Sequence, residues 1–503
     1  MNTNYKFAID KIQEAYDKQS QKETLNKYIT LYKSIKACIL NKDLPHNWLL
    51  PSTRVLAREM QFSRTTTNKA YELLQLERLI IPKAGSGNRV NYEPSHFSKK
   101  NVKDDFSKTL LQQHVTYPPI SKKGEMFLNN MSLINRPKDN NIAFKPGLPP
   151  LDIFPINQWK KLLNNYWMYI KSSGLSYHQT TGVTDFKKSI CNYLNVSRNI
   201  KCEYDQIIVT SGNLQSLFLI TSAIIEIGDT VILENPVFPN VHSIFKSQQS
   251  NILPISLDKE GISLNEIKYH EDLKPKLVHT TPSNHYPLGI RMTLKRRKDL
   301  LKWASKNSAL IIENDYENEI ANYETRLPAI YNLDTEDRTV YLTTFNRLLH
   351  PSLRLGFMIV PKFLVKTIEA LQEHSHRFVT PSIQTVMNQF IEKNYLYKHL
   401  KTSIEIAKER HDLFKQEFES QIKTMYIQEK PFSSFHVLAL FKDEVSLEDE
   451  ANIILKLKER NISCYPLSKC YIGKPLQKGL IIGYASVRST IIKKKIKAMQ
   501  EII

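Results

Sequence analysis

The sequence predicts two folded parts of different class: a small basic helical module closed by a β-hairpin, then a large α/β domain on a mainly parallel sheet. Three observations predict this. The 503 residues exceed what one hydrophobic core holds. Short capped helical segments followed by a glycine-tipped hairpin are confined to the stretch before Tyr92. Beyond Asn140, β-branched apolar runs alternate with helical patterns, as in Gln206–Thr210, Thr230–Leu233, Leu277–His279 and Leu310–Ile312. In such a sheet the functional groups gather at the carboxyl ends of the strands.

In the first part, Leu31, Ile35 and Ile39 recur at the spacing of one buried helix face. A turn containing Pro45, Trp48 and Pro51 follows, and Ser52 is placed to cap a short helix through Met60. Gln61-Phe62-Ser63 connects to a second helix capped by Ser63, with Ala70, Leu73 and Leu74 facing inward. Two short helices joined so tightly form a helix-turn-helix. The second begins Arg64-Thr65-Thr66-Thr67-Asn68-Lys69, which places polar and basic side chains at the end that meets base edges when such a helix enters the major groove. Leu79-Ile80-Ile81 and Arg89-Val90-Asn91 then flank Pro82–Gly87 as a basic wing.

Charge supports a polyanion partner. The chain carries a formal net charge of +20, and its first hundred residues hold 17 Lys+Arg against 9 Asp+Glu. Hydrophobic content of 41% and the lack of a membrane-length apolar run predict a soluble protein with no membrane partner. The mixed-charge start is unlike a secretory signal, and Cys38, Cys191, Cys202, Cys464 and Cys470 show no paired spacing. A reducing cytoplasm, without disulfides or a metal site, is therefore expected.

The segments LPSTRVLA, FSRTTTNKAYELL and GSGNRV, in this order, resemble the winged helix-turn-helix of the GntR family. The resemblance implies contacts to double-stranded DNA from Arg54, Ser63, Arg64, Thr65, Asn68 and the wing at Gly85. Downstream, FKPGLPPLDIFP, YHQTTGVTDFKKSICNYL, IIVTSGNLQSL, GDTVILENPVFPN, TTPSNHYPLG, LIIENDYENE and TTFNRLLHPSLRLGF occur in the order seen in MocR regulators, in which a fold-type I aminotransferase-like domain follows the GntR module. The implied organisation is an N-terminal extension over 1–22, the winged module over 23–92, a linker over 93–139 and the aminotransferase-like domain over 140–503. A short docking helix at Leu110-Leu111 is the one feature expected in the linker.

The same resemblance implies a pyridoxal-phosphate-like pocket. Gly212, Asn213 and Leu214 form the phosphate turn, Thr344 and Arg354 complete the phosphate cup, Phe238 stacks on the ring and Tyr316 bonds its hydroxyl. Two positions depart from the catalytic pattern. Arg347 stands where the family has its Schiff-base lysine, and guanidinium stays protonated in proteins, so it cannot form that bond. Asn314 stands where an acid holds the pyridinium charge. Furthermore, no arginine lies between Arg460 and Arg488, where aminotransferases commonly present one to a substrate carboxylate.

The expectation is a homodimeric regulator with no catalytic residues and no covalent cofactor. Its pocket senses a small effector, pyridoxal phosphate or another phosphorylated molecule held non-covalently, with Arg347 and Arg354 beside the phosphate turn. The alternatives are an active pyridoxal-phosphate aminotransferase, a pyridoxal-phosphate-responsive regulator, and a ligand-free dimerisation scaffold.

Overall fold

The computed structural model describes residues 3–22, 26–83, 87–92, 118–134, 143–321, 327–430, 432 and 434–503. Two compact units are present, Met1–Pro119 and Ile120–Ile503.

The first unit contains α1 (Thr3–Lys22), α2 (Lys27–Leu40), α3 (Thr53–Glu59), α4 (Arg64–Leu76) and the hairpin β1 (Ile80–Lys83) with β2 (Gly87–Val90). Leu31, Ile35 and Ile39 of α2 are buried, as their spacing requires. Ser52 Oγ accepts the Val55 N–H at 3.3 Å and Ser63 Oγ accepts the Thr66 N–H at 3.1 Å, so each helix of the pair starts at a hydroxyl cap. On α4 the buried set is Thr67, Ala70, Tyr71 and Leu74; Leu73 is only half-buried, because Tyr71 takes the inward position and bonds the Pro51 carbonyl at 2.7 Å. That bond pins α4 to the turn before α3.

Two expectations about extent change here. Within the expected extension, α1 packs along α2 and places Ala8 and Ile12 in the core with Leu31, Leu56 and Leu74, so it is part of the folded unit. The wing strands run further toward the tip, with Pro82 opposite Asn88 and Lys83 opposite Gly87. Pro82 fits there because a two-stranded sheet has only edges, so its missing N–H can face away from the partner. Gly85, at the tip, lies outside the described residues, as does Leu110-Leu111.

In the second unit an eight-stranded sheet has the order β3 (Ile207–Thr210), β10 (Gly356–Ile359), β9 (Thr339–Thr344), β8 (Leu310–Asn314), β7 (Leu277–Thr280), β4 (Thr230–Asn235), β5 (Asn251–Asp258), β6 (Gly261–Ile262). The central pairs β9–β8, β8–β7, β7–β4 and β4–β5 are parallel, while β10 is antiparallel to both β3 and β9. Most strands are buried along their length, as expected for β-branched runs with both faces covered. One face packs Phe186, Ile190 and Phe390 against the sheet, the other Leu217, Val241 and Ile368.

Lys122–Asn129 lies within the stretch expected as linker, yet it is a helix of the second unit, capped by Ser121 on the Gly124 N–H at 3.1 Å. It docks on the Pro239–Ser247 helix, where the following Asn130 donates to Ser247 Oγ at 3.0 Å and its carbonyl accepts from Ser243 Oγ at 3.2 Å, and on the Asn213–Ile224 helix, where Phe127 lies 6.1 Å from Phe218. A second, antiparallel sheet of order β11 (Met425–Ile427), β12 (His436–Phe441), β14 (Gly479–Gly483), β13 (Tyr465–Pro466) completes the unit.

Candidate functional site

The pocket follows from the register of β10. Gly356 pairs with Thr210 on one side and Thr344 on the other, so the chain leaving β3 and the chain leaving β9 emerge beside one another. A Cβ on Gly356 would fall 2.8 Å from Gly212 Cα and 2.9 Å from the Thr343 carbonyl, so only glycine permits this approach. Gly212 itself has φ +126° and lies against Asn346. The Asn213–Ile224 helix begins there.

All nine pocket residues singled out in the sequence, Gly212, Asn213, Leu214, Phe238, Asn314, Tyr316, Thr344, Arg347 and Arg354, line one cavity of about 200 Å³. They arrive from the ends of β3, β8 and β9, the start of the Pro239–Ser247 helix and the loop before β10. The turn is less open to a ligand than expected. The Ser211 N–H is already bonded to Gln215 Oε1 at 2.6 Å and that of Gly212 to Thr210 Oγ1 at 3.3 Å. The amides left at the helix start are those of Asn213 and Leu214. Thr344 Oγ1 donates to the Leu355 carbonyl at 3.0 Å, and Arg354 reaches Ser211 Oγ at 3.3 Å.

Arg347 does not join Arg354 at this turn. Its guanidinium lies over the Tyr316 ring, 5.3 Å from the centroid, and Nη1 is 3.6 Å from Glu317 Oε1. It presses on Gly147, where a Cβ would meet Nη1 at 1.5 Å. The two cations thus serve different parts of the cavity.

Asn314 is held on both sides. Its Oδ1 accepts from Asn213 Nδ2 at 2.6 Å and its Nδ2 donates to His279 Nε2 at 3.2 Å. Burial pushes the His279 pKa down to about 3, so the ring is neutral and suited to accept. The adjacent carboxylate cannot replace the missing acid. Strand alternation turns Asp315 the other way, where it pairs with Arg198 at 2.7 Å and accepts from Tyr341 at 2.9 Å. At the two positions where the resemblance sets a Schiff-base lysine and a pyridinium acid, the pocket thus presents a guanidinium, which keeps its proton, and an amide already bonded on both sides.

Tyr316 donates to the Asn284 carbonyl at 3.4 Å, and burial raises its pKa well above the ordinary phenol value. Phe238 meets Tyr286 edge-on at 5.2 Å. Sequence reasoning missed several lining residues. Asn346 bridges the Ser211 carbonyl at 3.4 Å and the Leu355 N–H at 2.9 Å. Glu234 accepts from Thr280 Oγ1, the Thr281 N–H and Thr281 Oγ1 at 2.5, 3.0 and 2.8 Å. Gly147, Glu234, His285 and Asn346 all sit inside the ordered motifs, but nothing in those motifs distinguishes them from their neighbours as pocket-lining residues.

In the first unit, Arg54, Ser63, Arg64, Thr65 and Asn68 are exposed side chains on the helix pair. Ser63 Oγ is occupied by its cap and by Thr66 Oγ1 at 2.8 Å. Gln75 Nε2 donates to Asn88 Oδ1 at 2.8 Å, fixing the wing to α4.

Together these features define a class of protein: a winged helix-turn-helix unit on the same chain as an aminotransferase-fold unit. The chain belongs to the class I and II aminotransferase family, which matches residues 145–488, and the bacterial regulatory proteins of the GntR family match residues 27–90. The combination makes it a DNA-binding transcriptional regulator of the MocR type. It is 27% identical over 475 residues to the "Probable rhizopine catabolism regulatory protein MocR" of Rhizobium meliloti, covering 93% of this chain and 92% of that one. Similarity to the HTH-type transcriptional regulator YhdI of Bacillus subtilis is 29% over 482 residues, covering 94% and 95%. Among solved structures, the kynurenine aminotransferase of Pyrococcus horikoshii superposes with a TM-score of 0.65 at 22% identity, covering 80% of this chain and 98% of that one. No helix among the described residues is long and apolar enough to cross a membrane.

Proposed function

We propose that the aminotransferase-fold unit is a non-catalytic receptor for a small phosphorylated ligand, and that its occupancy governs binding of the winged unit to DNA. The observation that carries this reading is Arg347 at the lysine position, its guanidinium over Tyr316 and beside Glu317. A ligand phosphate is supported by Arg354, Ser211 and the first amides of the Asn213–Ile224 helix. Phe238 and Tyr286 offer aromatic faces to the remainder. Pyridoxal phosphate bound without a covalent bond belongs to this ligand class.

On the DNA side, Arg64 and Asn68 at the exposed start of α4 read base edges. Ser63, Thr65, Arg54 and the wing hold the backbone. A homodimer presents two such helices to repeated half-sites. The test is titration of the full-length protein with pyridoxal phosphate, inorganic phosphate and phosphorylated metabolites, reading melting temperature and affinity for a selected DNA site. A ligand that shifts both supports the receptor. Unchanged melting with every phosphorylated compound would leave a ligand-free scaffold. A borohydride-fixed lysine adduct together with amino transfer would return the chain to the enzymes.

A further inference from the structure

Beyond the phosphate turn, the cavity borders a buried charge cluster that no motif announced. Lys430 comes from the segment before β12, and its Nζ is enclosed with no hydrogen-bond partner among the described residues. It packs so closely on the turn before Ile290 that a Cβ on Gly289 would lie 2.7 Å from Nζ. Glu317 is fully buried and acts on both Lys430 and Arg347. One of its oxygens, Oε2, is taken by Asn284 Nδ2 at 2.9 Å; the other lies 3.6 Å from Arg347 Nη1, beyond hydrogen-bond reach. Arg347 Nη1 and the Tyr286 hydroxyl are likewise buried without a partner among the described residues.

The surrounding imidazoles add no compensating charge. His285 Nε2 lies 2.9 Å from the Pro236 carbonyl and His436 Nε2 3.4 Å from that of Pro287, so each ring donates there. Both are buried and held neutral, His436 by its enclosure and by the positive charges of Lys430 and Arg347. Two cations therefore act on a single carboxylate, Lys430 Nζ and Arg347 Nη1 each lack a hydrogen-bond partner among the described residues, and the unpartnered Tyr286 hydroxyl belongs to a residue that lines the cavity beside Arg347. A buried excess cation is costly unless an anion meets it. The geometry favours a compact monoanion over a dianion, since Glu317 already neutralises half of the positive charge.

We propose that Arg347, Lys430 and Tyr286 form a carboxylate-binding subsite, so that the effector carries a carboxylate in addition to the group held at the Ser211–Arg354 end. The arginine at the lysine position is then a ligand-recognition residue whose second cation comes from far along the chain. This inference rests on the receptor reading above, but its test separates the two.

Full-length protein is titrated calorimetrically with sodium propionate, with inorganic phosphate, and with chloride as a monoanion lacking a carboxylate. Propionate is expected to bind, chloride at equal concentration is not, and saturating phosphate leaves propionate binding in place. Lys430→Met should weaken propionate by about ten- to hundredfold, the range for a hydrogen bond to a charged group, while phosphate binding persists. Lys430→Arg should retain propionate binding, which separates loss of charge from loss of fold. Absence of propionate binding to the wild-type protein, equal heats with chloride, or unchanged propionate affinity in Lys430→Met overturns the subsite. Propionate binding without any phosphate binding would keep the subsite and overturn the phosphorylated-ligand reading instead.

Discussion

Gly147 and Arg347 share one space: with φ +76° at Gly147, a Cβ there would sit 1.5 Å from Arg347 Nη1. The glycine is what leaves room for the guanidinium at the pocket wall. Gly147→Ala is expected to displace Arg347 and to cost about 1–3 kcal/mol of stability by overpacking. Denaturant unfolding of Gly147→Ala and of Gly147→Ala/Arg347→Ala checks this; the double variant should recover the steric part but keep the penalty of a left-handed backbone.

Glu317 is the carboxylate acting on both Arg347 and Lys430, so Glu317→Gln leaves the buried Lys430 and the half-buried Arg347 uncompensated. A loss of about 3 kcal/mol is expected. Adding Lys430→Met to that variant should restore part of it. Additive losses in the double-mutant cycle would show that the two residues do not interact.

The chemistry of the lysine position is tested by Arg347→Lys/Asn314→Asp. Mixed with pyridoxal phosphate and reduced with borohydride, the double variant should acquire a mass adduct at residue 347, and the wild-type protein none there. No adduct in the variant would mean that Gly147 and Glu317 have reshaped the pocket around an arginine beyond what two substitutions reverse.

At the DNA face, Arg64→Ala should cost about 1–3 kcal/mol at a selected site with little change on random sequence. Ser63→Ala should act differently, because its hydroxyl caps α4: about 1 kcal/mol of winged-unit stability is lost, with weakening that does not depend on sequence. Fluorescence anisotropy on specific and random duplexes, beside thermal melts, separates the two effects.

Burial raises the Glu234 pKa to about 7 and lowers that of His285 to about 3. Glu234 favours the folded state in its protonated form, so its contribution is full below its unfolded pKa near 4.5 and is lost as pH rises toward 7. His285 is buried neutral, so its contribution is present above about 6.5 and is lost as pH falls toward 3. Melting temperature should therefore decline from pH 5 to pH 7.5 through Glu234, and Glu234→Gln should flatten that limb. An unaltered slope in the variant would assign the titration to other groups.

The sequence by itself determined what local patterns can carry. Leu31, Ile35 and Ile39 announced a helix face because a helix repeats its inward positions, and Ile207–Val209 a buried strand because β-branched side chains suit a covered sheet. Asn314, Tyr316, Thr344 and Arg354 were found through ordered motifs, since strand ends of one sheet converge on one cavity. Tertiary structure alone decided the rest. The α1 helix reads as an extension and Lys122–Asn129 as part of a linker, because burial of Ala8, Ile12 and of the following Asn130 depends on a distant partner. Arg347 illustrates the division most sharply. Its identity excluded a Schiff base, but only folding set its guanidinium on Gly147 and Tyr316, apart from Arg354 and across Glu317 from Lys430. Charge chemistry belongs to a residue type, whereas the balance of charges in a buried site is a sum over neighbours that the chain brings together only when it folds.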